Sequence, residues 1–532
     1  MTITELQQQY AAHPNTAVME RLLKDASVQT IFCGGLCASS ASLFSSVLVK
    51  QDVCPFVFVL GDLEEAGYFY HDLTQVLGTE KVLFFPSSFR RSIKYGQKDA
   101  ANEILRTEVL SRLQKGEEGL CIVTYPDALA EKVVSRKELS DKTLKLNVGE
   151  KLDTTFITDV LHSYGFEYVD YVYEPGQYAV RGSIIDVFSF ASEYPYRIDF
   201  FGDEVESIRT FEVESQLSRE RKQGVAIVPD LAVTGDVTTS FLDFIPKETV
   251  LAMRDFLWLR ERIQVVHDEA LTPQAIAVQE AEENGGITLE GKLIDGSEFT
   301  VRALDFRRME FGNKPTGTPD AKISFHTSVQ PIFHKNFDLV AGSFKDYLEQ
   351  GYSLYICSDS TKQTDRIRAI FEDRGDKIQF TPVVRTIHEG FVDHTLHLCI
   401  FTDHQLFDRF HKYNLKSDKA RSGKVALSLK ELNQFTPGDY VVHTDHGIGR
   451  FSGLVRIPNG DTTQEVLKLV FQNEDVVFVS IHSLHKVSKY KGKDGEAPRL
   501  NKLGTGAWEK LKDRTNCLLY TSPSPRDAHE SR

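Results

Sequence analysis

A glycine-rich stretch, Gly34 to Ser42 (GGLCASSAS), is the first segment whose residue types could do chemistry. It follows an apolar run typical of a strand and leads into a helical pattern, and backbone N–H groups at such a helix start can bind phosphate. A working phosphate loop also needs Gly-Lys-Ser/Thr, in which Lys contacts the phosphates and the hydroxyl binds magnesium. Because that lysine is absent, we interpret Gly34, Gly35 and Ser39 as a degenerate, inactive nucleotide loop.

No other segment supplies the missing lysine in its motif. Gly-Lys pairs that are followed by Leu, Val or Asp occur at Gly291-Lys292, Gly423-Lys424 and Gly492-Lys493. The segment Thr402 to Gln405 (TDHQ) is similar to the Asp-Glu-x-His motif that binds magnesium in helicases, but it lacks the Glu that would activate water. We interpret it as a structural strand end, and we predict no catalytic residue and no cofactor in this chain.

A second group of residues suits protein binding rather than catalysis. The segment Tyr196 to Phe201 (YRIDFF) alternates as a strand that places Arg197, Asp199 and Phe201 on one face. Gly202-Asp203 then predicts a hairpin turn. Arginine beside an aromatic ring on a polar sheet face is typical of a binding hot spot. A ragged sheet edge with one exposed Phe is the alternative, and the residues alone leave both readings open.

Arg181 lies upstream, in a segment that we expect to form one strand from Tyr178 to Phe190. On that strand it would share a face with Ala179 and Ser183, whose small side chains would leave its guanidinium uncovered. Whether Arg181 and Arg197 lie on one surface depends on the order of the strands, which the sequence alone leaves open.

The elements that must position these residues form several domains, since a chain of 532 residues exceeds what one core supports. Apolar runs alternate with helical patterns over residues 1–125, which predicts a parallel α/β domain. An α+β unit (126–215) is inserted there. Residues 216–330, which we expect to be helix-rich from Phe241 to Val266, complete this first module. Residues 331–415 repeat the alternation as a small α/β domain.

The pattern of residue types changes after this small domain. A basic linker (416–434) precedes four or five short strands separated by Gly, Asn and Asp turns (435–492), which suits a small SH3-like β barrel. Within the barrel, Val455 and Ile457 share a strand face with Gly453. This apolar strip could serve as an edge for an added strand or could line the barrel.

The last residues differ again from the barrel. Residues 493–515 end in the start of an amphipathic helix. Residues 516–532 contain Pro523 and Pro525, which forbid a helix, and they show no apolar period. We expect this tail to be non-native sequence joined to an interrupted gene.

The bulk composition favours protein partners. The formal net charge of −14 opposes coating of the chain by duplex DNA, which requires concentrated Lys and Arg. Seven cysteines in a chain of this length form no disulfide framework, and Cys33 and Cys37 have no matching Cys/His pair, so we predict no metal site. No apolar run approaches the ~20 residues of a membrane span, and no signal segment opens the chain, which predicts a cytoplasmic protein without membrane contact.

Three segments, taken in order, resemble one known family: YAVRGSIIDVFSFASEYPYRIDFFGDEVESIR, GDYVVHTDHGIGRFSGL and LNKLGTGAWEKLK. Together they are similar to the bacterial transcription-repair coupling factors, and the resemblance extends over residues 1–515. It implies the fold class, a multidomain α/β chain with a degenerate RecA-like, UvrB-like α/β module, an α+β insertion, a small α/β domain and an SH3-like, CarD-like β barrel.

The resemblance also implies partners, because members of the family bind RNA polymerase stalled at DNA damage and recruit the repair protein UvrA. The family's UvrA-contacting residues fall on Arg181, Arg197 and Phe201. The barrel would bind the RNA polymerase β subunit through Val455 and Ile457. The ATP-dependent motor of the family would begin after about residue 505, so ATP, magnesium and most DNA contacts are expected only in that missing motor.

The sequence therefore predicts an adaptor for transcription-coupled nucleotide excision repair that lacks an ATPase site. The alternative is a stand-alone nucleotide-dependent helicase or a UvrB-like excinuclease subunit. That alternative would need a Gly-Lys-Ser/Thr loop or a cluster of carboxylates that binds metal.

Overall fold

The computed structural model describes residues 1–88, 100–213, 215–231, 238–271, 291–411, 413, 436–443, 446–459, 462–480, 487–490, 498 and 500–502. The predicted linker (416–434) and tail (516–532) lie outside these residues, as does most of the segment 493–515. Helices and strands are numbered in chain order within the described residues.

The chain divides into two compact units. The first unit consists of residues 1–144 and 227–415, and the second consists of residues 145–226 and 416–532. The helices of the first unit are α1 (Ile3–Tyr10), α2 (Pro14–Lys24), α3 (Ser40–Gln51), α4 (Leu63–Leu77), α5 (Ala100–Gln114), α6 (Pro126–Ala130), α7 (Arg136–Asp141), α9 (Phe241–Phe244), α10 (Phe256–Ala270), α11 (Gly296–Ala303), α12 (Phe337–Glu349), α13 (Thr361–Asp373) and α14 (Asp403–Leu406). The second unit contains α8 (Thr154–Ser163) and a 3₁₀ turn (Gln472–Glu474).

The strands follow the same division. Those of the first unit are β1 (Thr30–Gly34), β2 (Phe56–Val59), β3 (Val82–Phe85), β4 (Cys121–Thr124), β5 (Val133–Val134), β14 (Thr238–Thr239), β15 (Val250–Met253), β16 (Arg307–Gly312), β17 (Ala321–Ser324), β18 (Thr327–Val329), β19 (Ser353–Ser358), β20 (Thr381–Val384), β21 (Phe391–Asp393) and β22 (Leu398–Thr402). Those of the second unit, or at its boundary, are β6 (Leu144–Asn147), β7 (Glu167–Tyr168), β8 (Gln177–Arg181), β9 (Ile184–Val187), β10 (Tyr196–Phe201), β11 (Glu204–Phe211), β12 (Ser218–Lys222), β13 (Gly224–Ile227), β23 (Tyr440–His443), β24 (Gly447–Asn459), β25 (Thr462–Val470), β26 (Val476–Ser480) and β27 (Val487–Lys489).

A seven-stranded parallel sheet forms the centre of the first unit, in the order β17-β1-β16-β15-β2-β4-β3. Four adjacent strands of this sheet, β15, β2, β4 and β3, are short apolar runs buried along their whole length, because helices cover both faces of a parallel sheet. The α/β alternation predicted for the first residues is therefore confirmed. The helix-rich prediction for Phe241 to Val266 is wrong at its centre, since Val250–Met253 is a strand between β16 and β2. A four-residue buried strand carries no period that separates it from a helix.

A second sheet in the first unit has the order β18-β21-β22-β19-β20. Its core consists of apolar side chains from the sheet and from α12 and α13, including Phe344, Ile356 and Phe401. The N-terminal segment reaches this sheet, because Thr2 forms a bridge with Val384 and the Tyr355 hydroxyl donates to Gln9 Oε1 at 2.8 Å. Sequence-distant segments thus complete one compact unit.

The insertion in the second unit is a six-stranded sheet of order β12-β11-β10-β9-β8-β7. The predicted hairpin at Gly202-Asp203 is confirmed, since Phe201 pairs with Glu204 across it. The single strand predicted from Tyr178 to Phe190 is wrong, because β8 and β9 form an antiparallel hairpin that turns at Gly182, where φ is +62°. Gly182 tolerates this left-handed conformation because it has no Cβ.

The barrel segment forms a five-stranded antiparallel sheet of order β26-β25-β24-β23-β27. Its core contains alternating apolar side chains of these strands, among them Val441, Phe451, Leu467, Leu469 and Val479. Among the helices that the structure describes, none combines the length and apolar composition needed to cross a membrane.

The rings of four histidines in the first unit pack together in one cluster. The ring centroid of His411 lies 4.5 Å from that of His404, 5.0 Å from that of His71 and 5.9 Å from that of His388. Burial, reinforced by the neighbouring imidazoles, lowers the pKa of His71 and His388 to about 4 and that of His404 to about 3. Burial lowers the pKa of His411 as well. The folded unit therefore holds these rings neutral where an unfolded chain would protonate them.

We predict that acid destabilises the first unit between about pH 6.5 and pH 4. In that window the unfolded chain binds protons on histidines whose ordinary pKa is about 6.5, while the folded cluster does not, so stability falls as pH falls. Burial raises the pKa of Asp72 to about 6 and also raises the pKa of Asp403, so these two carboxyls act in the opposite direction, but four imidazoles oppose them. One pKa unit corresponds to about 1.4 kcal/mol. Calorimetric unfolding at pH 7, 6 and 5 measures the effect.

The variant His411→Phe separates the cluster from general acid effects. It removes the central ring, so the dependence of the unfolding temperature on pH should become shallower. His162→Phe, on the exposed surface of α8, is the matched control and should leave that dependence unchanged. Equal pH dependence for wild type and His411→Phe would contradict the role assigned to the cluster.

Candidate functional site

The predicted nucleotide loop lies where β1 ends and α3 begins, and its own chain occupies its hydrogen-bonding groups. The Cys37 N–H donates to Ser40 Oγ at 2.9 Å and to Thr327 Oγ1 at 3.1 Å. Ser39 Oγ accepts from the N–H of Glu389 at 2.9 Å. Gly35 has φ +85°, and a Cβ there would lie 2.1 Å from the Phe325 carbonyl oxygen, so only glycine fits. These groups are therefore satisfied within the fold.

A cavity of about 350 Å³ lies beside this loop, at the carboxyl ends of β2 and β15. Its lining is rich in acidic side chains, namely Asp62, Glu64, Glu65, Asp72 and Glu389. The one arginine of the lining, Arg254, forms an ion pair with Glu65 at 2.7 Å. A triphosphate would meet repulsion here instead of the lysine and N–H groups that normally bind it.

The segment Thr402 to Gln405 closes the end of β22 through local hydrogen bonds. Asp403 Oδ2 accepts from Arg409 Nη2 at 2.6 Å, and the Thr402 hydroxyl donates to Gln405 Oε1 at 2.9 Å. The Gln405 oxygen also accepts from the N–H of Gly390 at 2.7 Å. These bonds account for the segment as the structural strand end that the sequence predicts. In the part of the chain that the structure describes, no group of three His, Cys, Asp or Glu side chains could hold a metal ion.

The polar face of the six-stranded sheet brings Arg181 and Arg197 together on one buried carboxylate, Asp186. Arg197 binds it with two hydrogen bonds, Nε to Oδ1 at 2.8 Å and Nη2 to Oδ2 at 2.9 Å, and Arg181 Nη2 binds Oδ2. The Asp186 side chain is fully buried, whereas those of Arg197 and Arg181 are 13% and 36% exposed. The strand order thus answers the question that the sequence leaves open, since Asp186 on β9 lies between the two arginines.

Asp186 was missed by sequence reasoning because its partners are set by strand pairing. It pairs with Ala179 on β8 and with Arg197 on β10. Asp186 lies five residues after Arg181 and eleven before Arg197. This spacing could have suggested an ion pair, but only if the hairpin at Gly182 had been recognised. The prediction that no bulky side chain covers Arg181 is wrong, because its guanidinium lies 5.0 Å from the ring centroid of Tyr171.

Arg197 has a structural role in this face, because its guanidinium contacts several groups of the same domain. Its Nη1 donates to the Gln216 carbonyl oxygen at 3.0 Å, and its guanidinium lies 4.4 Å from the ring centroid of Phe211. Together with the two hydrogen bonds to Asp186, these contacts fix the position of the Arg197 guanidinium. Arg181 is the more accessible of the two arginines.

Phe201 stands at the end of the same face, beside the turn at Gly202. Its side chain is 80% exposed, although it is a large aromatic ring next to charged residues. The register of β10 against β11 shifts by one residue between Asp199 and Phe200, and the skipped residue is on β11, so Phe201 keeps the side of Arg197 and Asp199. An exposed ring on a rigid hairpin, next to arginine, has the composition of a protein-binding surface.

The barrel places its two predicted contact residues on β24, next to β25. Val455 pairs with Val466 and Ile457 pairs with Gln464, so both belong to the same face of the sheet. Val455 is half-buried, and the side chain of Ile457 is outside the described part of the structure. Val466 also pairs with Ser480 on β26, whereas the pair of Ile457 and Gln464 lies beyond the end of β26 in a two-stranded part of the sheet. This position leaves both earlier interpretations of the apolar strip open.

Sequence reasoning missed two exposed apolar residues on the outermost strand β26. Phe478 is 50% exposed and Val476 is 39% exposed. They pair with Lys468 and Val470 on β25, which alternate with the core residues Leu467 and Leu469. Cross-strand pairing therefore places Phe478 and Val476 on the sheet face of Val455, and only the register could have revealed this.

Two family profiles match parts of this chain. A family profile described as the UvrB interaction domain matches residues 144–232. Another, described as the CarD-like/TRCF RID domain, matches residues 435–491. Both domains are thus present, and the predicted fold class, a multidomain mixed α/β chain with an SH3-like CarD-type barrel, is confirmed.

Curated relatives match almost the whole chain. A transcription-repair-coupling factor of Staphylococcus aureus (strain bovine RF122 / ET3-1) is 24% identical over 90% of this chain and 46% of its own length. That of Bacillus subtilis (strain 168) is 22% identical over 90% of this chain and 47% of its own length. The chain therefore spans about half the length of these curated relatives. It is a homologue of transcription-repair-coupling factors over 90% of its length, and it contains a UvrB interaction domain and a CarD-like/TRCF RID domain.

Proposed function

We propose that this chain acts in transcription-coupled nucleotide excision repair as an adaptor that binds stalled RNA polymerase and recruits UvrA. The observation that carries the proposal is the presence in one chain of a UvrB interaction domain with an exposed aromatic residue and a CarD-like domain with an exposed apolar face. The relatives are named transcription-repair-coupling factors, which supports a role in that process.

For the UvrA-binding surface we propose Phe201 as the anchor and Arg181 as its accessible charged neighbour. Phe201 has the largest exposed fraction, 80%, among the exposed large apolar side chains of the described residues. Arg197 belongs to the same site through Asp186, which joins it to Arg181. An apolar ring surrounded by oriented charges provides both binding energy and specificity in protein interfaces.

For the RNA polymerase β subunit we propose the barrel face that carries Val455 and Ile457. Val476 and Phe478, which share this face through strand pairing, widen its apolar area. The face ends at β26, the outermost strand in the order of this sheet, which could also accept an added strand from a partner.

We further propose that the loop at Gly34, Gly35 and Ser39 binds no nucleotide. Its groups bond to Thr327, Ser40 and Glu389 of the same unit, and the adjacent cavity is lined by acidic side chains.

Phe201→Ala should abolish or strongly weaken UvrA binding. Truncating a hot-spot aromatic residue costs ≥2 kcal/mol, so we expect a loss of affinity of about thirtyfold or more. Because the ring is 80% exposed, the unfolding temperature should not change. Titration calorimetry of the purified chain with purified UvrA measures the affinity.

Phe156→Ala is the matched control for this experiment. Phe156 is also a large exposed ring, 51% exposed on α8 of the same unit, but the proposed surface does not include it. Undiminished affinity of Phe201→Ala, or an equal loss for both variants, would refute the anchor. Arg197→Ala is a poorer test because it leaves the buried Asp186 carboxylate without its two-bond partner, which itself threatens the fold.

Ile457→Arg should remove binding of RNA polymerase. A charge forced into an apolar contact without a partner costs several kcal/mol. Capture of purified RNA polymerase on the immobilised chain provides the measurement. Since the two proposed surfaces lie in different domains, Ile457→Arg should retain UvrA, and Phe201→Ala should retain RNA polymerase. Normal capture of the polymerase by Ile457→Arg would disprove the assignment of this face.

A further inference from the structure

The register of the six-stranded sheet places three arginines in one row across adjacent strands. Arg197 on β10 pairs with Arg209 on β11, and Arg209 pairs with Arg221 on β12. Asp186 on β9 stands at the other end of the row, opposite Arg197. Like charges directly opposite each other destabilise a sheet, so this row needs neutralisation.

The described residues supply too little negative charge for this row. Asp186 already forms ion pairs with Arg197 and Arg181. Asp199, a second carboxylate of this face, lies 3.4 Å from Arg209 Nη2 and also accepts from the Ser183 hydroxyl at 3.1 Å. Arg209 Nε is buried and has no hydrogen-bond partner. The guanidinium of Arg209 is therefore only partly compensated by carboxylates and hydrogen-bond acceptors.

Arg221 adds exposed charge at the sheet edge. It belongs to β12, the outermost strand in the sheet order, whose five residues are all exposed. Within the described ranges, no carboxylate lies within ion-pair distance of its guanidinium, whereas its neighbour Lys222 binds Glu220 at 2.8 Å. Arg209 and Arg221 thus extend the face of Phe201 toward an open edge.

We propose that Arg209 and Arg221 form a docking site for an acidic segment of a protein partner. The proposal rests on the function proposed above, in which UvrA binds this domain, and it specifies the chemistry of the UvrA segment that lies beside Phe201. A carboxylate of that segment would accept from the exposed guanidinium of Arg221 and from the accessible part of the Arg209 side chain, which is 29% exposed, and would add negative charge to the row.

Protein carboxylates fit this row better than nucleic-acid phosphates. The same two strands and the residue that follows β11 supply exposed acidic side chains around the arginines, namely Glu204, Glu206, Glu220 and Glu212. The whole chain has a formal net charge of −14. A short row of arginines within an acidic surface suits a local, geometrically defined contact, whereas a phosphate backbone requires an extended basic track.

The test compares charge reversal at two neighbouring residues of β12, with purified UvrA as the probe. Arg221→Glu should weaken UvrA binding at least tenfold and should make the remaining binding less sensitive to salt. Lys222→Glu, whose residue pairs with the buried Ile208 and so faces the other side of the sheet, should change affinity less than twofold. Thermal unfolding of both variants checks that the domain remains folded.

The outcomes separate this inference from the function on which it rests. If wild type does not bind UvrA, the proposed function fails. If wild type binds and Phe201→Ala does not, but Arg221→Glu behaves like Lys222→Glu, the function stands and the acidic docking site is overturned. A loss of duplex DNA retention by Arg221→Glu with unchanged UvrA affinity would also overturn it, in favour of nucleic acid.

Discussion

A carboxylate buried inside a sheet face is the constraint on which the proposed UvrA surface depends. Asp186 is fully inaccessible, and such a charge persists in a fold only when cations and hydrogen bonds compensate it. Arg197 and Arg181 provide that compensation from two different strands. Their side chains are held in place as a result, so the face next to Phe201 is ordered before any partner arrives, which reduces the entropy lost on binding.

Much of the architecture could be predicted from the sequence because its signals are local. The alternation of strands and helices over residues 1–125 and the turn at Gly202 depend on local periodicity or on glycine, and both formed where the pattern indicated. Strand β15 could not be predicted, since four buried apolar residues have no period. The contact of Arg181 with Asp186 and the row from Arg197 to Arg221 depend on which strands pair, and pairing is a property of the tertiary fold.

The loop at Gly34 lies between a strand and a helix, where phosphate sites occur in other proteins, but its own chain occupies its hydrogen-bonding groups. Gly35 has a conformation that excludes any side chain, because a Cβ there would lie 2.1 Å from the carbonyl oxygen of Phe325. Burial raises the pKa of Asp72 to about 6, and the Ser42 hydroxyl and the His388 N–H bind its carboxyl group. The internal contacts of this region therefore serve packing between the two sheets of the first unit.

The bridge between Thr2 and Val384 has a consequence for biosynthesis. The first helices cannot complete their packing until the ribosome has released the strand that contains Val384. At ~5–20 residues per second this takes between about 20 and 80 s. The sheet of the insertion closes within a continuous stretch, Glu167 to Lys222, and can form earlier. The nascent chain would then carry a finished six-stranded sheet while its N-terminal helices still expose apolar surface, which makes that interval the period of greatest dependence on chaperones.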